Sequence, residues 1–92
     1  MDDFEKAIKA AGGISALEAL IEVPSGNLVN VRKGRRPLRP WMAVRIAELA
    51  QSDTTMAAVL ALEANSKTEN ERQTWQRLLH KLKIDNAGKR AR

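Results

Sequence analysis

Residues 23–40 read VPSGNLVNVRKGRRPLRP, and the rest of the chain is organised around this stretch. Its first half predicts a short helix entered through a turn, because Pro24 and a serine open it and Leu28 and Val31 lie three residues apart on one face. Its second half is a basic loop that ends at a proline. A short exposed helix followed directly by a basic loop suits a nucleic acid, since the helix can contact base edges while the loop binds phosphates.

Charge is distributed along the chain in blocks. The net charge is +5, with two basic and five acidic residues in 1–22, six basic and none acidic in 23–47, one basic and five acidic in 48–71, and seven basic and one acidic in 72–92. Basic residues spread evenly along the chain would not indicate a binding site. Basic residues concentrated in one stretch predict where a polyanion would bind. The acid-free block therefore strengthens the nucleic-acid hypothesis.

Composition narrows the class of protein. Ninety-two residues suggest one domain, and an Ala-rich chain with only three aromatic residues favours packed helices over sheets. The chain has no cysteine, which excludes disulfides and Cys-ligated metals. The polar, acidic start MDDFEK is not a signal peptide, and no apolar run approaches the roughly 18 residues of a membrane span. We therefore expect a cytoplasmic protein without membrane contact.

Local sequence features predict six helices. Gly12 and its neighbouring glycine end the first helix, and the second begins near Ile14 or Ser15 and stops before Pro24. The third covers residues 25–33 and ends at Gly34. Either Ser25 is its N-cap or Pro24 occupies its first helical position.

The second half of the chain continues in the same way. Pro40 opens a fourth helix whose buried face includes Trp41, and Asp53 or Ser52 caps the fifth. A Thr68-to-Glu71 capping box opens the sixth. Residues 85–92 predict a disordered basic tail.

The stretch from residue 12 to 40, GGISALEALIEVPSGNLVNVRKGRRPLRP, resembles the helix-turn-helix of the lambda repressor/Cro superfamily, especially the small Cro-like and CI-like regulators of phages and prophages. That family combines a Gly-Gly pair, a Leu-Ala pair, an apolar-Gly-Val turn, an apolar-x-x-apolar recognition helix and a closing Gly-x-Arg-Pro. The matching residues, aligned without a gap, are Gly12, Gly13, Leu17, Ile21, Val23, Leu28, Val31, Gly34, Arg36 and Pro37. The resemblance covers roughly residues 4–49 and implies an all-α bundle of five to six helices with an added C-terminal helix. Without the resemblance, the same spacing also fits a generic helical hairpin with a basic linker.

Two residues depart from the family pattern. Glu18 stands where the family has alanine at the helix–helix contact, and Glu22 stands where it has the turn glycine. A buried unpaired carboxylate is costly, so we expect Glu18 to tilt to the edge of the contact or to pair with an arginine. Glu22 must adopt the left-handed turn at a cost of roughly 1 kcal/mol.

The resemblance places the base-contacting positions at the start of the third helix and one turn further on. They fall on Ser25, Gly26 and Asn30. Asn27 and Val29 are marginal members of this base-contacting set. Asparagine can present a donor–acceptor pair to adenine, and valine can contact a thymine methyl. Glycine offers no side chain, so we expect sparse base contacts and a large share of affinity from phosphates.

The predicted phosphate-binding residues lie at the end of this helix and in the loop. They are Lys33, Arg35, Arg36 and Arg39, with Arg32 at the margin. Any one of these side chains could be an ordinary solvated charge. That interpretation explains the whole group of five less well than phosphate binding does. The expected partner is double-stranded operator DNA.

The sixth helix carries an apolar stripe with two interpretations. Its members, at helical spacing, are Trp75, Leu78, Leu79 and Leu82. The stripe either covers the domain core or forms a homodimer seam, and the latter suits two-fold symmetric operators. The predicted organisation is a DNA-binding domain over 1–66, this helix over 67–84 and the tail over 85–92.

Two functional hypotheses follow from these residues. The first is a phage-type transcriptional regulator, a repressor that binds operator DNA as a homodimer. The second is a protein-interaction module, such as an antirepressor or adaptor, that keeps the fold without specific DNA contacts; Glu18, Glu22 and Gly26 motivate it. An enzyme is not expected, because His80 is the single histidine and no serine stands in fixed relation to it. No cofactor, metal or small-molecule substrate is expected.

Overall fold

Six α-helices joined by short turns make up residues 2–90, which this computed structural model describes, with side chains described for residues 3–85. The helices are α1 (Asp2–Ala11), α2 (Ile14–Leu20), α3 (Asn27–Arg32), α4 (Pro40–Leu49), α5 (Thr54–Ala64) and α6 (Glu69–Arg90). The all-α class predicted from the composition is confirmed, and residues 2–90 contain no strand. Most helix ends fall at the glycine, proline and capping residues that predicted them.

One core joins the first four helices and holds α3 in place. Its buried members are Phe4, Ala7, Leu17, Ile21, Leu28, Met42 and Ile46. Leu28 is the only buried residue of α3, and none of its surface is exposed. A helix of six residues is not stable by itself in water. Burial of one leucine contributes about 1.5–3 kcal/mol, so this side chain is a main anchor of α3.

Helix α3 begins later than the sequence predicted. The predicted start at 25 with Ser25 as N-cap is wrong, because the Asn27 N–H donates to the Pro24 carbonyl at 3.0 Å and keeps residues 24–26 in a turn. The N-cap is Gly26, whose φ of 86° lies in the left-handed region. Because this cap residue is a glycine, it has no side chain that could accept a hydrogen bond from the helix. The N–H groups of the first turn therefore need a partner from elsewhere in the fold.

Gly34 closes α3 in the way its position predicts. Its φ is 77°, and its N–H donates to the Val31 carbonyl at 3.0 Å. The Arg35 N–H reaches back to the Asn30 carbonyl at 2.8 Å. This pair of bonds is a Schellman closure, which satisfies the last carbonyls of the helix and turns the chain sharply. The basic loop thus leaves α3 along a defined path.

The ends of α2 and α4 use the same closure without glycine. Glu22 has a φ of 61° and Gln51 a φ of 58°, so both occupy the left-handed region. After α2, the Val23 N–H donates to the Glu18 carbonyl at 3.0 Å. The expectation that Glu22 adopts the left-handed turn is confirmed. An L-residue in this region costs about 1–2 kcal/mol, so both turns hold backbone strain.

We expect Glu22→Gly to stabilise the protein by about 0.5–1 kcal/mol. Glycine removes the strain at this φ, although its larger entropy in the unfolded chain offsets part of the gain. Urea unfolding followed by circular dichroism measures the change. The matched control is Ala16→Gly on the exposed side of α2, which should cost about 1 kcal/mol. A loss of stability in Glu22→Gly would contradict the strain argument.

Trp41 does not belong to the buried face predicted for α4. Its surface is 52% exposed, whereas Met42 and Ile46 are buried. The helical period explains the difference, because Trp41, Arg45 and Glu48 are spaced i, i+4, i+7 and all three are exposed. The indole therefore lies on the solvent face of α4.

Helix α6 begins as predicted and ends later. The Glu71 N–H donates to the Thr68 hydroxyl at 3.1 Å, which confirms the threonine cap. The helix then continues to Arg90, past residue 85, where the sequence predicted that the tail begins. Alanine, lysine and arginine favour helix, and one glycine costs only about 1 kcal/mol in a helix that is already formed. Residues 91–92 lie outside the described residues.

The apolar stripe of α6 is divided between burial and exposure. Within the described residues, α6 packs on α5 alone. Leu79 is buried, Trp75 and Leu82 are half-buried, and Leu78 is exposed. Leu79 thus covers the domain, as the first interpretation of the stripe has it. None of the helices in the described part of the chain has the length and apolar character needed to cross a bilayer.

Candidate nucleic-acid interface

Glu18 is buried inside the fold and supplies the missing cap of α3. Only 3% of its surface is exposed, and its Oε2 accepts a hydrogen bond from the Leu28 N–H at 2.8 Å. The N-cap Gly26 has no side chain with which to do this. A carboxylate at a helix N-terminus satisfies a backbone donor and also interacts favourably with the helix dipole. The expectation that Glu18 tilts outward or pairs with an arginine is therefore wrong.

Arg32 connects α3 to α1. Its Nη2 lies 3.0 Å from the Glu5 Oε1, and both side chains are about half exposed. Such a pair contributes at most about 1 kcal/mol, because water screens it. Of the predicted phosphate-binding residues, Arg32 is thus the one whose charge has a carboxylate partner within the described residues.

The loop after α3 carries four further cations on a backbone fixed at both ends. Lys33, Arg35, Arg36 and Arg39 are all exposed, and none is ion-paired within the described residues. The Gly34 closure fixes the beginning of the loop. Near its end, the Asn65 side-chain amide donates to the Leu38 carbonyl at 2.9 Å, and Leu38 packs against the core. The loop thus presents exposed cations on a defined backbone.

The five predicted base-contacting residues are placed unequally. Ser25 is exposed and Gly26 half-exposed, but both lie in the turn before α3. Asn27 is the first residue of α3, and its Oδ1 is buried without a hydrogen-bond partner, so this side chain is directed inward. Val29 and Asn30 are partly exposed on the helix itself. The strongest candidates for base contact are Asn30, Val29 and Ser25.

The structure separates the predicted dimer residues from this surface. Helix α3 packs on α2, whereas α6, with Trp75, Leu78, Leu79 and Leu82, packs on α5. The candidate interface therefore consists of α3 and the loop that follows it. Among the described residues, no group of three or more His, Asp or Glu side chains is placed to hold a metal ion.

Two residues near this surface were not predicted to serve it. The role of Glu18 depends on a bond between residues ten positions apart, although a glycine at the N-cap indicates that the cap must come from another element. Trp41 was assigned to the buried face of α4 because it is apolar and stands at helical spacing from Val44 and Ala47.

Comparison of the chain with family models, with curated proteins and with solved structures finds no significant match.

Proposed function

We propose that this protein is a sequence-specific double-stranded DNA-binding regulator of transcription, of the Cro/CI-like phage type that its sequence resembles. Helix α3 would enter the major groove, and the loop would bind phosphates on its flank. One observation carries the proposal: a short helix, held to the core by Leu28 and capped by Glu18, leads directly into four exposed cations that have no carboxylate partner within the described residues.

The dimensions of α3 support major-groove binding and limit what one copy can specify. Six residues rise about 9 Å, and an α-helix fits a major groove about 12 Å wide. Such a short helix contacts only a few base pairs, and α3 offers Val29 and Asn30 as partly exposed side chains. Useful specificity then requires two copies on a two-fold symmetric operator, so we propose a homodimer that represses by occupying a promoter.

The adaptor hypothesis loses part of its motivation. It was suggested by three departures from the family pattern, at Glu18, Glu22 and Gly26. Glu18 caps α3 and Glu22 closes α2, so both have roles in building the helix-turn-helix. Gly26 is the left-handed N-cap that the Glu18 carboxylate complements. These roles are compatible with a DNA-binding surface.

We expect Asn30→Ala and Arg35→Ala to weaken DNA binding in different ways. A duplex selected from a randomised pool serves as the specific probe, and a scrambled duplex of equal length as the non-specific one. Asn30→Ala should reduce the preference for the selected duplex by about 1–3 kcal/mol, because it removes base contacts. Arg35→Ala should weaken both duplexes alike and reduce the salt slope by about 0.9. Fluorescence anisotropy titrations between 50 and 300 mM salt measure both effects.

Arg77→Ala is the matched control, since it removes one exposed charge from α6, far along the chain from the loop. It should leave both affinities nearly unchanged. If the selection enriches no sequence and the unmodified protein binds random duplex weakly with no salt dependence, the adaptor hypothesis is favoured instead. Sedimentation of the protein with the selected duplex gives the stoichiometry, and a single copy per site would contradict the homodimer.

A further inference from the structure

Trp41 is a large apolar side chain that is exposed to solvent and follows the basic loop in the sequence. Its surface is 52% exposed, and it is the second residue of α4. Leu38, three residues earlier, is fixed by the bond from Asn65 and by core packing, and Met42 and Ile46 bury the opposite side of α4. The backbone that carries the indole is therefore held to the fold on both sides of Trp41. Exposed aromatic residues at defined positions are typical of contact surfaces.

Trp41 directly follows the basic loop in the sequence. It lies two residues after Arg39, and it shares the exposed face of α4 with Arg45 and Glu48. Glu48 is paired with Arg45 at 3.3 Å. Among the described residues, the other large exposed apolar side chains lie on α2, α5 and α6. A docking site for a protein would be expected to join several apolar residues, whereas a single exposed indole that follows a basic loop in the chain suits a polyanion with apolar sugar rings.

We propose that Trp41 extends the DNA-binding surface beyond the loop, its indole packing on deoxyribose and its Nε1–H donating to a phosphate. This inference rests on the proposed function, since it names a further contact of the same surface. Side chains other than Lys and Arg contribute a substantial share of phosphate and sugar contacts in protein–DNA complexes. The indole carries no charge and displaces no counterion. Its contribution to affinity is therefore independent of salt, unlike that of the loop arginines.

The test combines a spectroscopic and a thermodynamic measurement. Duplex titration of the unmodified protein should quench or shift its tryptophan emission, and Trp41→Phe, which retains only Trp75, should show no such change. Trp41→Ala should weaken duplex binding about tenfold with an unchanged salt slope, the effect of one well-packed aromatic contact. The matched control is Leu60→Ala, which truncates a side chain of similar exposure, 49%, on α5 and should leave binding unchanged.

Three outcomes would overturn the inference. In the first, Trp41→Ala binds duplex as tightly as the unmodified protein. In the second, the Trp41 emission changes with protein concentration in the absence of DNA, which would place the indole in a contact between proteins. In the third, the unmodified protein binds no duplex at all, and then the proposed function fails together with the inference. Loss of affinity with an intact circular dichroism spectrum supports it.

Discussion

Replacement of Lys33, Arg35, Arg36 and Arg39 together by glutamine is expected to abolish most of the affinity for DNA while leaving the fold intact. Each phosphate contact contributes about 0.9 to the slope of log K against log salt, so four lost contacts should lower the slope by roughly 3–4. At 0.1 M salt this corresponds to about a 10³- to 10⁴-fold loss of affinity. Stability should change little, because all four side chains are exposed and none is ion-paired within the described residues.

The control for this variant must remove the same charge from another surface. Lys67, Arg77, Lys81 and Lys83 are exposed on or just before α6, and their replacement by glutamine also lowers the net charge from +5 to +1, since four positive charges are lost. Anisotropy titrations of both variants over a range of salt concentrations compare the two surfaces. If the α6 variant loses as much affinity and slope as the loop variant, then binding is diffuse and the loop is not the interface.

The features predicted well from sequence are those that local chemistry determines. Gly34 needs a left-handed φ to close α3, Pro40 lacks an N–H and so fits the first position of α4, and Asp53 caps α5 by accepting from the Met56 N–H at 2.9 Å. Each of these choices involves residues within one helical turn. Their physical basis is visible in the sequence.

The features that were missed depend on contacts between distant parts of the chain. Trp41 is apolar, but whether a residue at the edge of a helical face is buried depends on what lies against it, and its neighbours leave 52% of its surface exposed. The start of α3 was placed too early because Ser25 is a good cap in isolation, whereas the fold uses a turn at Gly26 and a cap from α2. Burial and long-range capping are thus two points at which sequence reasoning fell short.

The largest effect on stability is expected at Glu18. In Glu18→Ala, the Leu28 N–H loses its acceptor in a buried site, which costs about 1–3 kcal/mol, and the truncated side chain leaves a cavity. We therefore expect a loss of about 3 kcal/mol, or at least 10 °C in Tm for a domain of this size. Glu18→Gln keeps an acceptor oxygen and should lose only about 1 kcal/mol. Urea unfolding and thermal melts measure both variants.

The hydrogen bond between Glu18 and the Leu28 N–H should also affect DNA binding, because it lies at the start of α3. Glu18 and Leu28 hold the start of α3, so a protein that remains folded without the carboxylate should show faster hydrogen exchange at the Leu28 amide and a weaker preference for the selected duplex. Glu5→Ala is the matched control, because it removes an exposed carboxylate that also contacts α3, through Arg32 at 3.0 Å. It should cost less than about 1 kcal/mol. Equal losses in Glu18→Ala and Glu5→Ala would show that the buried bond does not hold α3, and the base-contacting helix would then depend on the Leu28 side chain alone.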